Sequence, residues 1–248
     1  LNPDLRAYIE YSNETWNGQF TQAQYVIEQG RALGLSDDDF QAGLFYHSHR
    51  AGEIFAIWED VFGGTDRLVR VLASQGANAW TGEQVLTYNN IAERTDALAI
   101  APYFGGYLGD PATIDDVVAQ GINGVIDASR VHINGEVSNW IRDNVAVASR
   151  YAVELVAYEG GQHLVGFWGA EGDERLTGVF ISANRDPRMG DLYTEYLNQW
   201  YGLGGGLMMN FSHIVSPSQW GSWGILEYQN QPRAEAPKYD AIMRYLGK

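Results

Sequence analysis

The chain contains no cysteine. That excludes a disulfide framework and any chemistry that runs through a thiolate. It does not fix the compartment, because many secreted bacterial proteins also lack cysteine. Positive charge is scarce: 16 Lys and Arg stand against 31 Asp and Glu, a net charge of −15. A polyanionic partner such as nucleic acid would be repelled overall, whereas a neutral ligand would not. No apolar run approaches the ~18 residues that a membrane span requires. Proline is sparse too, 7 in 248 residues, and no Pro- or Ser-rich linker, internal repeat or low-complexity tract divides the chain. With 45% hydrophobic residues the chain can bury a sizeable core, and a single domain over residues 1–248 is the expectation. It opens on Leu1 with no visible signal peptide, which reads as a trimmed or processed start. A secreted or periplasmic bacterial setting is expected.

What is present alternates between strand and helix patterns. Ala7 to Ser12, "RLVRVLASQ" (67–75), "ALAIAPYF" (97–104), "VELVAYEGG" (153–161) and "GLMMNFSH" (206–213) read as strands. Helical patterns cover about 21–33, 37–62, 81–93, 110–151, 187–201 and 238–246. Five strands separated by helices imply a parallel α/β sheet. Periodicity alone does not separate a barrel from a doubly wound sheet.

Two glutamates stand at strand ends. Glu14 follows the first strand in "YIEYSNETWNGQF", and Glu159 ends the fourth in "VAYEGGQH", where Gly160 and Gly161 let the backbone turn sharply. In a parallel barrel the C-terminal strand ends share one mouth, where two carboxylates can flank a glycosidic bond. Chance could also supply two such glutamates from 31 acidic residues, and Asn13-Glu14-Thr15 doubles as a glycosylation acceptor. Glu10 is expected on the same strand face as Glu14 and competes for its role.

The motifs carry a resemblance. "EYSNETWN" resembles the Asn-Glu signature on the fourth strand of clan A, the 4/7 superfamily of retaining glycoside hydrolases. "AYEGG" resembles that clan's nucleophile at the end of strand seven, and "IAPYFGG" its sixth-strand segment. The resemblance implies a partial (β/α)8 TIM barrel comprising strands four to eight. It implies Glu14 as general acid/base, Glu159 as nucleophile, Tyr103 as a hydrogen-bond partner of that nucleophile, and Asn13 on the sugar 2-hydroxyl. No cofactor is required, and the partner is a carbohydrate. The first three barrel strands, with their substrate-binding residues, have no counterpart here. The sheet edges near Ile9 and Met208 therefore call for cover from an N-terminal segment or a second copy. The alternative reading is a non-catalytic carbohydrate-binding protein on a truncated barrel; a third is a subunit whose partner completes the site.

Trp16, Trp80, Trp168, Trp220 and Trp223 fall just beyond expected strands, where an indole can stack on a sugar face or simply roof the core. His163 and His213 follow the seventh and eighth strand positions and could line the site or serve structure. His47 and His49 stand i, i+2 on a helix and share no face, so metal binding is not expected. "GLGGG" (202–206) lacks phosphate-loop spacing, and "WGSWG" (220–224) misses the G-x-S-x-G elbow by one position.

Overall fold

The computed structural model describes Asn2 and residues 4–248, so the reading placed on Leu1 lies outside the described residues. Four strands form one sheet in chain order: β1 (Ala7–Glu10), β2 (Leu68–Ala73), β3 (Ala97–Ile100) and β4 (Glu154–Ala157). Every pairing is parallel, with Ala7 opposite Leu68, Val71 opposite Ala97, and Ala97 opposite Glu154. Helices fill each crossover. The first carries α1 (Thr21–Ala32) and α2 (Asp39–Phe62), the second α3 (Ala79–Thr87), and the third α4 (Ile114–His132) and α5 (Ser138–Arg150). After β4 come α6 (Glu174–Arg185), α7 (Arg188–Gly202) and α8 (Pro237–Tyr245). Sequential parallel order is compatible with a partial (β/α)8 arrangement; among the described residues the four strands form an open sheet, and no closed barrel is shown.

The chain divides into two compact units. One takes the chain up to Ala101, then Trp140–Tyr158 and Gly204–Met208, and so contains the sheet. The inner strands β2 and β3 are buried on both faces apart from Arg70, as parallel strands favour. Val69, Val71, Ala97, Ala99 and Val156 make a cluster on one face, with Tyr158 packed against it. Leu68, Leu72, Leu98, Ile100 and Leu155 occupy the alternate positions and are equally buried. Arg70 interrupts that second face. Its guanidinium donates to both oxygens of Asp96 at 2.9 and 3.0 Å and to Glu59 of α2 at 3.0 Å, so a helix is tied to the strand by charge. Helix α2 begins where the Asp38 carboxylate accepts from Gln41 N and ends at the left-handed Gly63.

The other unit takes Pro102–Asn139, Glu159–Leu203 and Met209–Lys248. Its core is aromatic: Phe104, Tyr193, Tyr196 and Trp200 are all but fully buried, and Phe104 meets Tyr193 and Tyr196 at 5.8 and 5.3 Å.

Several expected boundaries are corrected. The strand expected over 206–213 is absent. Gly206 N donates to Leu155 O, Ala157 N donates to Leu207 O, and Met208 makes one parallel bridge to Ala157, after which pairing stops. The glycines of 202–206 have no side chains to pack and lose much entropy when extended. β3 ends at Ile100, two residues before Pro102, which has no N–H to offer a ladder. β1 ends at Glu10 and β4 at Ala157, both short of expectation, so Glu14 lies in a loop and the shared strand face with Glu10 does not exist. The helix expected to run to Glu93 stops at Thr87, because Asn89 and Asn90 take left-handed conformations. Helix α6 had no counterpart in the sequence reading.

Candidate functional site

Within the sheet-bearing unit, the loop after β1 is built around Asn17 and Thr15. Asn17 N donates to Glu14 O at 3.0 Å, and its side-chain amide donates to Glu14 Oε2 at 3.1 Å. The Asn17 amide oxygen in turn accepts from Gln19 N. Thr15 is buried and shares a 3.0 Å hydrogen bond with His47 Nδ1 of α2, on which the Tyr11 ring also rests. Asn13, Glu14 and Trp16 are half-buried between these anchors, and the Trp16 indole N–H is inaccessible to solvent. Burial pushes the Glu14 carboxyl above the ordinary carboxylate range, and the Asn17 hydrogen bond offsets part of that rise. A carboxyl held this way keeps its proton to higher pH than a surface glutamate, which suits a group that must donate one. Glu10, the last residue of β1, is also half-buried.

Trp80 does not stand in a loop. It is the second residue of α3 and stacks on Phe40 of α2 at 6.2 Å with 21° between the ring planes, which fixes it as a partly exposed lid on the helix pair.

In the second unit, the segments around Tyr103 and Glu159 run side by side. Phe104 N donates to Gly161 O at 3.0 Å, and His163 N donates to Phe104 O at 2.7 Å. The glycine after Glu159-Gly160 is required: Gly161 has φ +129°, and a Cβ there would stand 2.7 Å from the Tyr193 hydroxyl. Gly160 O accepts from Phe211 N, which brings the 209–213 segment alongside. Four rings then converge. Tyr103 meets His163 at 5.3 Å and Trp223 at 5.9 Å, His163 meets Trp223 at 5.0 Å, and Phe211 meets Trp223 at 5.7 Å. All four contacts are edge-on, the arrangement that aromatic quadrupoles favour. Burial lowers the pKa of His163, so its neutral form is favoured.

Of the residues singled out from the sequence, Tyr103 and Trp223 are thus brought into one wall, and Glu159 leaves the strand end beside it. Trp168 and Trp220 are 77% and 63% exposed, and Trp168 stands edge-on to Phe167. His213 is exposed, while His163 supplies the histidine of the wall. His163 stood open between lining the site and serving structure, whereas Phe211 went without a site role because nothing local distinguishes it. Asn17 was visible three residues after Glu14, a spacing that suits a loop hydrogen bond. No group of three or more His, Asp or Glu side chains able to hold a metal occurs among the described residues.

No protein-family model, curated protein or solved structure matches the chain. The likeness to clan A therefore rests on the motif residues and their surroundings alone.

Proposed function

We propose that the chain is a retaining glycoside hydrolase that cleaves β-linked poly- or oligosaccharide. The observation that carries this reading is topological. The Asn13-Glu14 loop and the Glu159 segment both leave C-terminal ends of strands in one parallel sheet, β1 and β4, with two strands between them. That is the relation of barrel strands four and seven, and the bridge at Met208 falls where strand eight would run. In this reading Glu14, with its raised pKa, protonates the departing glycosidic oxygen. Glu159 attacks the anomeric carbon, the bond to the leaving group breaks, and a glycosyl ester forms on Glu159. Glu14, now ionised, takes a proton from water, whose oxygen attacks the same carbon and releases Glu159. Asn13 holds the 2-hydroxyl, Tyr103 orients Glu159, and Trp16, Trp168, Trp220 and Trp223 offer faces to neighbouring sugars.

A second reading, a carbohydrate-binding protein without catalysis, is favoured by the openness of the four-stranded sheet and by the exposure of Trp168 and Trp220. One experiment separates them. The protein is incubated with β-glucan, xylan, mannan and galactan oligosaccharides and with matching 2-fluoro glycosides, then digested and weighed by mass spectrometry. A glycosyl adduct on the peptide containing Glu159, with reducing ends released from one polysaccharide, is expected. Binding without adduct or products would leave the lectin-like reading in its place.

A further inference from the structure

The segment Trp220-Gly221-Ser222-Trp223-Gly224 is a built loop. Ser218 and Gly221 exchange backbone hydrogen bonds at 3.1 and 3.0 Å. The Trp223 indole N–H donates to Trp220 O at 2.7 Å. Gly221 has φ +112°, and a Cβ there would reach within 2.6 Å of the Trp223 ring. The ring is therefore clasped by its own loop on one side and by Tyr103, His163 and Phe211 on the other.

The clasp is itself held from below. Ser222 is buried, and its carbonyl accepts from two side chains, Gln162 Nε2 at 2.7 Å and Lys238 Nζ at 2.6 Å. Gln162 is braced in turn, its Oε1 accepting from Leu164 N at 2.7 Å. Lys238 is the surprising member. The chain has only two lysines, Lys238 and Lys248, and uses arginine for its other cations. Lysine is almost never fully buried, yet Lys238 is 2% exposed at the second position of α8. Burial drives its pKa down to about 7, with the nearby Glu227 opposing the fall. Glu227 itself is engaged by Arg185 at 2.7 and 2.8 Å. An apolar side chain of the same length would fill this space without the desolvation penalty, so the amine's contribution is its bond to the Ser222 carbonyl.

We propose that Lys238 is a positioning residue: through the Ser222 carbonyl it shares with Gln162, it fixes Trp223 against Tyr103 and His163 as the stacking wall of a sugar site. The sugar part of this inference rests on the glycosidase reading; the positioning part does not. The test uses Lys238→Met, which keeps the length and removes the donor. The first readout is the Trp223 indole ¹H–¹⁵N resonance, assigned by its loss in Trp223→Phe. The second is the split between KM and kcat on whichever oligosaccharide the parent hydrolyses. A folded Lys238→Met is expected to shift and broaden the Trp223 resonance while the Trp200 resonance stays in place. KM should rise roughly tenfold with kcat within about threefold, the signature of lost binding shared by ground and transition states. A Trp223 resonance that coincides with the parent's overturns the proposal. If the parent hydrolyses nothing, the glycosidase reading fails and the resonance still decides the role of Lys238. Should Lys238→Met not fold, the parent protein with ¹⁵N-lysine offers just two side-chain amine signals. Slow exchange and contacts from Lys238 to Ser222 are then expected, and amine protons exchanging as fast as those of Lys248 would overturn the proposal.

Discussion

Thr15 Oγ1 lies 3.0 Å from His47 Nδ1, both side chains are buried, and the bond ties the loop that carries Glu14 to the middle of α2. Because it is buried, His47 has its pKa lowered from 6.5 to about 4. The unfolded chain therefore binds the proton that the folded chain refuses between those two values. The stability that neutral His47 supplies is complete above pH 6.5 and is lost as pH falls toward 4. A shift of this size corresponds to roughly 3 kcal/mol over that window. Urea denaturation at a series of pH values is expected to show the decline. His47→Asn places an amide where Nδ1 stood and removes the titration, so its stability should fall more gently below pH 6.5. His132 and His163 are shifted the same way by burial, so part of the slope should survive. A variant profile parallel to the parent's would show that His47 does not titrate with folding.

Asn17 sets a second pH dependence. Its amide donates to Glu14 Oε2 and favours the ionised carboxylate, opposing the burial that raises Glu14's pKa. If Glu14 is the general acid, activity falls as pH rises through its pKa, because the proton must be present to be given. Asn17→Ala removes the opposing bond, raises that pKa further and moves the alkaline limb of kcat/KM to higher pH. Glu14→Gln should abolish the limb and reduce kcat by about 10²–10⁴ on substrates with poor leaving groups. An alkaline limb that stays put in Asn17→Ala would assign it to another group.

Much of the sheet was legible in the sequence because its inner strands are short runs of branched apolar residues: Leu68 to Ala73 and Ala97 to Ile100 are buried on both faces and read so. The sheet margins were harder. Met208 has the right composition for a strand, but the glycines before it leave a single bridge where a ladder was expected. Helix α6 carries Leu176, Phe180 and Ala183 at helical spacing behind the Asp173 cap, but the glycine-rich stretch before it obscures the start. The two motifs at Glu14 and Glu159 were visible as local strings. The aromatic wall was not, since Tyr103, His163, Phe211 and Trp223 come together only through the pairing of 104 with 161–163 and the Ser222 clasp.

Gly161 offers a test of how tightly the turn beyond Glu159 is built. Alanine there would be held at φ +129° with its Cβ 2.7 Å from the Tyr193 hydroxyl, which itself accepts from Gln162 N. The backbone term alone is worth about 1–3 kcal/mol, and the overlap adds to it. Tyr193→Phe removes the overlapping oxygen but leaves the buried Gln162 N–H without its partner, a loss of about 1–3 kcal/mol. The double variant should therefore be destabilised by less than the sum of the singles, with a coupling of about 1 kcal/mol or more. Thermal and urea denaturation of the four proteins measure this. Strict additivity would mean that the Gly161 turn relaxes away from Tyr193.

The final prediction concerns Glu159 itself. It follows β4 two residues after Ala157, and the backbone just after it is held on one side by Phe104 N to Gly161 O and on the other by Phe211 N to Gly160 O. On the proposed reading, a nucleophile followed by backbone held on both sides needs little reorganisation as the bond forms. Glu159→Ala keeps the brace and removes the carboxylate, so the fold should persist while turnover disappears. The variant also leaves a space where a small anion can stand in for the missing oxygen. Azide should restore part of the rate on an activated aryl glycoside, with the glycosyl azide as product and its anomeric configuration opposite to that of the substrate, since one displacement replaces two. The configuration makes the experiment decisive. Rescue with inversion identifies Glu159 as the nucleophile, whereas near-parental turnover by Glu159→Ala without azide, or azide capture with retention, moves that role to another carboxylate.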